Sequence, residues 1–224
     1  MNLWDWRFAL QILPDILRAA IITVEATMIG FVVAAAFGLF LAILRRSHNS
    51  VLSLLVACFI EFVRSTPLLV QIYFLYFVLP EIGIKIPALA AGILGLGIHY
   101  STYCSEVYRS GLDTITRGQW EAAVALNLSL YRTYRDIIIP QAIPPVVPAL
   151  GNYLISMFKE TPILSAIAVI EMMQRAKIIG SETFRYNEAI SIVGIIFLIL
   201  SLVSTIWIRE VEGWFQKRRM GVST

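Results

Sequence analysis

Two stretches of this chain combine residue types and spacings that could do chemical work. Gly118-Gln119-Trp120-Glu121-Ala122-Ala123, followed further on by Pro140, is polar and basic inside a sequence that is otherwise strongly apolar. Arg64-Ser65-Thr66-Pro67-Leu68-Leu69-Val70-Gln71 sets a guanidinium and a helix-breaking proline in an apolar run. Glu61, Lys159 and Glu160 are further charges in apolar surroundings. Charges at membrane depth are costly, so they mark a path for polar solutes or a mutually neutralising pair. Glu61 and Arg64 are three residues apart and share a helix face, which permits either reading. Lys159 and Glu160 are adjacent and should face different ways, one towards a pore and the other towards a neighbouring subunit.

Other chemistries lack their residues. His48 and His99 are isolated, and no metal-ligand spacing or nucleophile–base motif is present. Cys58 and Cys104 lie in apolar runs and read as small packing residues. No G-x-x-x-x-G-K-[ST] phosphate loop occurs, so the chain has no visible means of binding ATP. The net charge of +3 is too small and too scattered for a nucleic-acid partner.

The 224 residues are 58% hydrophobic and 15% charged, whereas soluble domains carry about 25% charged residues. The lipid bilayer is therefore the expected solvent, and the expected fold is an all-α membrane protein. Apolar runs of about 20 residues predict about five membrane spans. These cover 19–44, 51–79, 88–108, 143 to about 159, and 189–208, the last without a single charge. An apolar segment after Lys159 should dip back or lie against the other spans. The first 18 residues read as an interfacial segment, with Trp4, Trp6 and Phe8 at the membrane surface, and lack the basic start of a cleavable signal peptide. Residues 19–210 form the transmembrane domain, and 211–224 a basic cytoplasmic tail. Lys and Arg are more frequent in the loops shared with the C-terminus, which predicts an outside N-terminus and a cytoplasmic C-terminus.

The one long cytoplasmic loop, 109–141, then lies between spans 3 and 4. Glu121–Leu126 favours helix. Asn127 tolerates the left-handed backbone that ends one, and Ser129 can cap a second short helix. Pro140, Pro144, Pro145 and Pro148 stiffen the return into the bilayer. Gly30, Ala34 and Gly38 form a small stripe, and Gly92, Gly95 and Gly97 cluster, permitting close helix packing within the chain or between subunits.

These segments resemble the membrane (permease) subunit of polar amino acid-type ABC importers. RSTPLLVQIYFLYFVLP, EVYRSGLDTITRGQWEAAVALNLSLYRTYRDIIIPQAI and NYLISMFKETPILSAI carry the likeness, which covers roughly residues 16–212. The family's coupling motif reads Glu-Ala-Ala, three residues, Gly, about nine residues, an apolar residue, one more, then Leu-Pro. Here Glu121, Ala122, Ala123, Asn127, Ile137, Ile139 and Pro140 hold those places, with Asn127 replacing glycine and Ile139 replacing leucine. The N-terminal Trp-Asp-Trp-x-Phe and Ile-Leu-Pro-Asp pattern is similar to the ectoine and hydroxyectoine branch.

The resemblance implies a type I importer permease fold in a bacterial inner membrane. It also implies a cytoplasmic ABC ATPase dimer that binds ATP and Mg, a second permease subunit (identical or a paralogue), and an extracytoplasmic solute-binding protein. Gly118, Glu121, Ala122, Ala123, Asn127 and Pro140 would dock on the ATPase, with the two alanines allowing close approach. For a polar amino acid or a zwitterion such as ectoine, Arg64 and Glu160 would provide one site of each sign, with Lys159 and Glu61 nearby. The competing reading is an ion-gradient-driven secondary transporter, but no internal repeat of broken helices supports it.

Overall fold

The computed structural model describes residues 4–220, with side chains through Phe215. Met1–Leu3 and the last four residues of the expected tail lie outside the described residues. The chain is almost wholly helical. Helix α1 (Trp6–Arg45) is followed by α2 (Ser50–Ser65), α3 (Leu68–Tyr73) and α4 (Ala88–Asp113). The loop helices α5 (Arg117–Ala125) and α6 (Leu130–Arg132) precede α7 (Ile139–Glu160), α8 (Met172–Thr183) and α9 (Tyr186–Met220).

Among the described residues, three helical stretches are long and apolar enough to cross a membrane: Trp6–Arg45, Leu130–Ile167 and Tyr186–Phe215. The pair Ser50–Ser65 and Leu68–Ile82 can supply a fourth, bent by 102° at its break. Helix α4 is not apolar enough to count with these by composition, but it is long enough to cross. Its 26 residues reach about 39 Å at 1.5 Å per residue, enough for a bilayer core. It is too polar in its middle to read as lipid-facing, because Ser101, Thr102 and Ser105 are buried inside the protein.

Several expected boundaries change. Residues 6–18 continue without interruption into the first expected span, since α1 runs unbroken from Trp6 through Pro14 to Arg45. Asp5 caps this helix, accepting from the amides of Arg7 (2.8 Å) and Phe8 (3.3 Å). Those two amides, Phe8's most of all, hold its carboxyl below the usual range. The expected span over 51–79 is an elbow rather than a rod, because Pro67 has no N–H and holds Thr66 extended (φ −106°, ψ 139°). The second short helix of the loop is not free-standing. From α6 the chain passes through a π-helical stretch, Thr133–Ile138, directly into α7.

Helix α1 and helix α4 form the central pair. The small residues Gly30, Ala34 and Gly38 are buried on α1. A Cβ on Gly38 would lie 2.7 Å from the Cys104 Cβ and 2.7 Å from the Ser101 carbonyl oxygen of α4. The stripe thus serves packing within this chain. The shared core continues through Leu68, Ile72, Leu96, Tyr100, Met157 and Leu164.

The two ends of the bundle are tied by charge. At one end, Arg45 pairs with Glu106 (3.3 Å), Arg46 with Asp113 (2.8 Å), and Arg109 with both acids (2.7 and 3.1 Å). At the other, Arg185 joins Asp5 (3.2 Å) to Glu188, and Arg175 joins Asp15 (2.7 Å). The segment after Lys159 does pack back on the bundle. A 3-10 stretch, Thr161–Ile167, brings the Thr161 hydroxyl to 2.8 Å from that of Thr27. The Thr23 hydroxyl accepts from the Met172 amide (3.3 Å), and buried Glu171 caps α8.

Gly38→Val should lower the thermal midpoint of the purified protein by several degrees, since backbone on α4 cannot yield to the new side chain. Gly194→Val, where a Cβ meets nothing within 4 Å, should leave it unchanged. Thermal unfolding in the same detergent compares the two.

Candidate functional site

The polar loop is built around α5. Its end is a Schellman motif: the Asn127 amide donates to the Val124 carbonyl (2.9 Å) and the Leu128 amide to the Ala123 carbonyl (3.0 Å). Asn127 takes the required left-handed backbone, φ 52°. The Ser129 hydroxyl then caps α6 by accepting from the Arg132 amide (3.4 Å). Trp120 packs edge-on against Tyr134 (5.4 Å), and Gln141 donates to Gln119 (3.3 Å), so α5 rests on the start of the α7 stretch.

Of the residues expected to dock on a partner, Gly118, Glu121, Ala122, Asn127 and Pro140 are exposed. Ala123 is not. It is 1% exposed and faces its own loop, so its small size serves the internal packing of α5 rather than close approach to a partner. Apolar side chains missed in the sequence take the outer position: Val124 (78% exposed), Leu126, Leu130 and Tyr131. Val124, Ala125, Trp120 and Glu121 border a shallow hollow of about 390 Å³. Their signal was a set of large apolar residues in a polar loop, which by itself equally fits a helix face turned to the core.

The second candidate site is built on α2, α4 and α7. Arg64, near the end of α2, places its guanidinium 4.9 Å from the ring centroid of Tyr103 on α4. It forms no ion pair with Glu61 among the described residues, and Glu61 instead accepts from the Ser65 hydroxyl (3.4 Å). Of the two readings the spacing permitted, mutual neutralisation is not made, and the guanidinium instead makes a cation–π contact. Tyr103 belongs to a ring cluster with Tyr100 (5.9 Å) and Tyr153 of α7 (5.5 Å). His99 is not isolated. It stands 5.3 Å from the Tyr103 ring, and its Nδ1 is 3.2 Å from Gln71 Oε1.

Glu160 lies beside the Tyr100 hydroxyl. Lys159 and Glu160 do not part company as their adjacency suggested. Both border one open cleft of about 510 Å³, with Leu68, Pro162, Ile163, Ser165, Met173 and Lys177. The break in helix after Glu160 turns both side chains to it, and Lys177 donates to Ser165 (2.9 Å). The arrangement offers a guanidinium, ammonium groups and a carboxylate around aromatic faces. That set suits a small polar solute carrying both charges, and no cluster of His, Cys, Asp and Glu fit to hold a metal occurs among the described residues.

Comparison with known proteins adds independent information. Residues 34–216 match the family described as the binding-protein-dependent transport system inner membrane component. A probable amino-acid ABC transporter permease, y4tG of Sinorhizobium fredii, is 48% identical over 94% of this chain and 91% of its own length. A putative glutamine transport system permease, GlnP of Rickettsia typhi, is 33% identical over 92% of this chain and 96% of its own. A solved amino acid ABC transporter with histidines has a chain that superposes with a TM-score of 0.88 at 34% identity, covering 93% of this chain and 98% of that one. The MetNI methionine transporter, at 18% identity and TM-score 0.69, shares the fold.

Asn127→Gly should slow exchange of the 122–128 backbone amides, because glycine takes the left-handed conformation freely. Asn127→Val should hasten it, at a cost on the order of 1–2 kcal/mol for the backbone. Hydrogen–deuterium exchange on the two variants reads both signs.

Proposed function

The chain belongs to the family of binding-protein-dependent transport system inner membrane components, and from that premise we propose how its two sites divide the work of an amino acid ABC importer. It is a transport subunit of the inner membrane, not an enzyme. ATP and Mg are bound and spent on a separate ABC ATPase dimer. The loop of 109–141 docks on that ATPase, through Glu121, Ala122 and the exposed apolar residues Val124, Leu126, Leu130 and Tyr131. The observation that carries this reading is that apolar face on α5 and α6, held rigid by the Schellman end at Asn127. Gly118, Asn127 and Pro140 shape the docking element, and Ala123 holds it together from within.

The second candidate site forms part of the translocation path. Arg64 meets a solute carboxylate and Glu160 a solute ammonium, with Lys159 and Glu61 adjusting the local charge. The cargo is a polar amino acid or a zwitterion of the ectoine and hydroxyectoine kind. A second permease, most simply a paralogue, encloses the path from the opposite side, and an extracytoplasmic solute-binding protein delivers the solute. The excess of Lys and Arg around the loop end supports a cytoplasmic C-terminus and an outside N-terminus.

Reconstitution of the whole complex in proteoliposomes tests the reading. Uptake should stop when ATP is withdrawn while a proton gradient is maintained; uptake that persists overturns it in favour of a secondary transporter. Glu121→Lys should cut ATP-driven uptake by about tenfold or more, the scale of losing one interface hot spot. Glu160→Gln should raise KM for uptake with little change in basal ATP hydrolysis. Unchanged uptake kinetics in Glu160→Gln would remove that carboxylate from the path.

A further inference from the structure

The docking loop and the charged path leave the Thr66-Pro67-x-x-x-Gln71 part of the motif without a role. Its geometry is specific. Pro67 interrupts the helix, so carbonyl oxygens before it lack the amide that would have continued the ladder. The Gln71 carboxamide turns back and covers them. Its Nε2 lies 2.7 Å from the Val63 carbonyl oxygen, 3.1 Å from that of Thr66 and 2.7 Å from the Thr66 hydroxyl. The Thr66 hydroxyl also lies 3.1 Å from the Phe62 and Val63 carbonyls, to which it can donate.

Oxygen acceptors surround Nε2, so the amide has one sensible orientation. Its Oε1 is then the atom that faces His99 Nδ1 at 3.2 Å. An amide oxygen only accepts, so Nδ1 carries the proton and the neutral ring holds its lone pair on Nε2. His99 therefore acts here as a donor from α4 to the elbow between α2 and α3.

The contact closes a ring of interactions. His99 and Tyr103 are neighbours on one face of α4, four residues apart, with ring centroids 5.3 Å apart. Tyr103 carries the Arg64 guanidinium at 4.9 Å. Arg64 precedes Thr66 by two residues on the same elbow. The elbow is thus pinned to α4 twice, once by Arg64 on Tyr103 and once by Gln71 on His99.

We infer that Gln71 and His99 are positioning residues that lock the 102° elbow against α4 and thereby aim Arg64 into the translocation path. For its transport readout the inference rests on the proposed place of Arg64 in that path. The hydrogen-bond lock itself does not.

The decisive comparison is His99→Asn against His99→Gln, in the complete complex. The Asn amide nitrogen can occupy the place of Nδ1 and donate to Gln71, whereas the Gln amide reaches towards the place of Nε2. His99→Asn should keep the KM for uptake within about twofold of the parent. His99→Gln and Gln71→Leu should raise it by about tenfold, the scale of one net hydrogen bond, with kcat changing less. In parallel, hydrogen–deuterium exchange of the amides of residues 68–73 should quicken in His99→Gln and Gln71→Leu and stay as in the parent in His99→Asn. Equal behaviour of His99→Asn and His99→Gln in both measurements overturns the lock. Altered exchange with unaltered KM keeps the lock but removes Arg64 from the path. Absence of ATP-driven uptake in the parent complex fails the importer reading, while the exchange comparison still decides the lock.

Discussion

The bilayer offers no water to a broken helix, so every interruption of a membrane-spanning chain has to be satisfied by protein. That constraint organises this molecule. The helical path changes twice within the bundle: it breaks at Thr66–Pro67, and after Glu160 it tightens into the 3-10 stretch that ends at left-handed Ala168. At the first break the Gln71 carboxamide covers the Val63 and Thr66 carbonyls. Beyond the second, the Thr161 and Thr27 hydroxyls meet at 2.8 Å, the Thr23 hydroxyl accepts from the Met172 amide, and the Glu171 carboxylate accepts from the Met173 and Gln174 amides at the start of α8. The first is fastened to α4 through the His99–Gln71 hydrogen bond, and the segment beyond the second to α1 through Thr23 and Thr27. The charges Arg64, Lys159 and Glu160 stand beside those two places, where departure from a lipid-facing helix has already made a polar neighbourhood.

The same constraint explains why α4 sits inside. Its middle carries His99, Tyr100, Ser101, Thr102 and Ser105, and these are covered by α1, α7 and the elbow. The serine and threonine hydroxyls bond back to carbonyls of α4 itself, three residues earlier. Burial on all sides demands close approach, and close approach demands small residues on the facing helix. Gly38 of α1 meets Cys104 and Ser101, and Gly111 of α4 meets Ala142 and Val146 of α7.

Local signals in the sequence were legible where the cause is local. Asn127 ends α5 with a left-handed backbone, Ser129 caps the next turn, and α7 ends at Glu160, each by a preference of one or two residues. The long apolar runs were equally plain, because burial in lipid needs only composition. What escaped depends on distant partners. The elbow lies in an unbroken apolar run, and only Pro67 hinted at it. His99 looked isolated since its partner, Gln71, is 28 residues away. Spacing allowed Glu61 to neutralise Arg64, yet the guanidinium reaches Tyr103, whose position no local rule gives. Ala123 is buried while Val124 and Leu126 are exposed, a placement that depends on how α5 lies on the start of the α7 stretch.

The two sites are joined by rigid elements. Helix α4 carries Tyr100 and Tyr103 in its middle and Arg109 and Asp113 at its end, where the polar loop begins. From Tyr103 to Asp113 is ten residues, about 15 Å of helix. Helix α7 starts at the other foot of the loop and carries Tyr153, Lys159 and Glu160 at its far end. Arg45 and Arg46 of α1 clamp the α4 foot. Helices α4 and α7 pack against each other between the two sites. Tyr103 and Tyr153 touch across that boundary at 5.5 Å, and Arg64 rests on the α4 side of it. Arg64, on Tyr103 of α4, and Glu160, on α7, thus stand on either side of the contact between the two helices that lead to the loop. Both sites are therefore carried by the same two helices, α4 and α7.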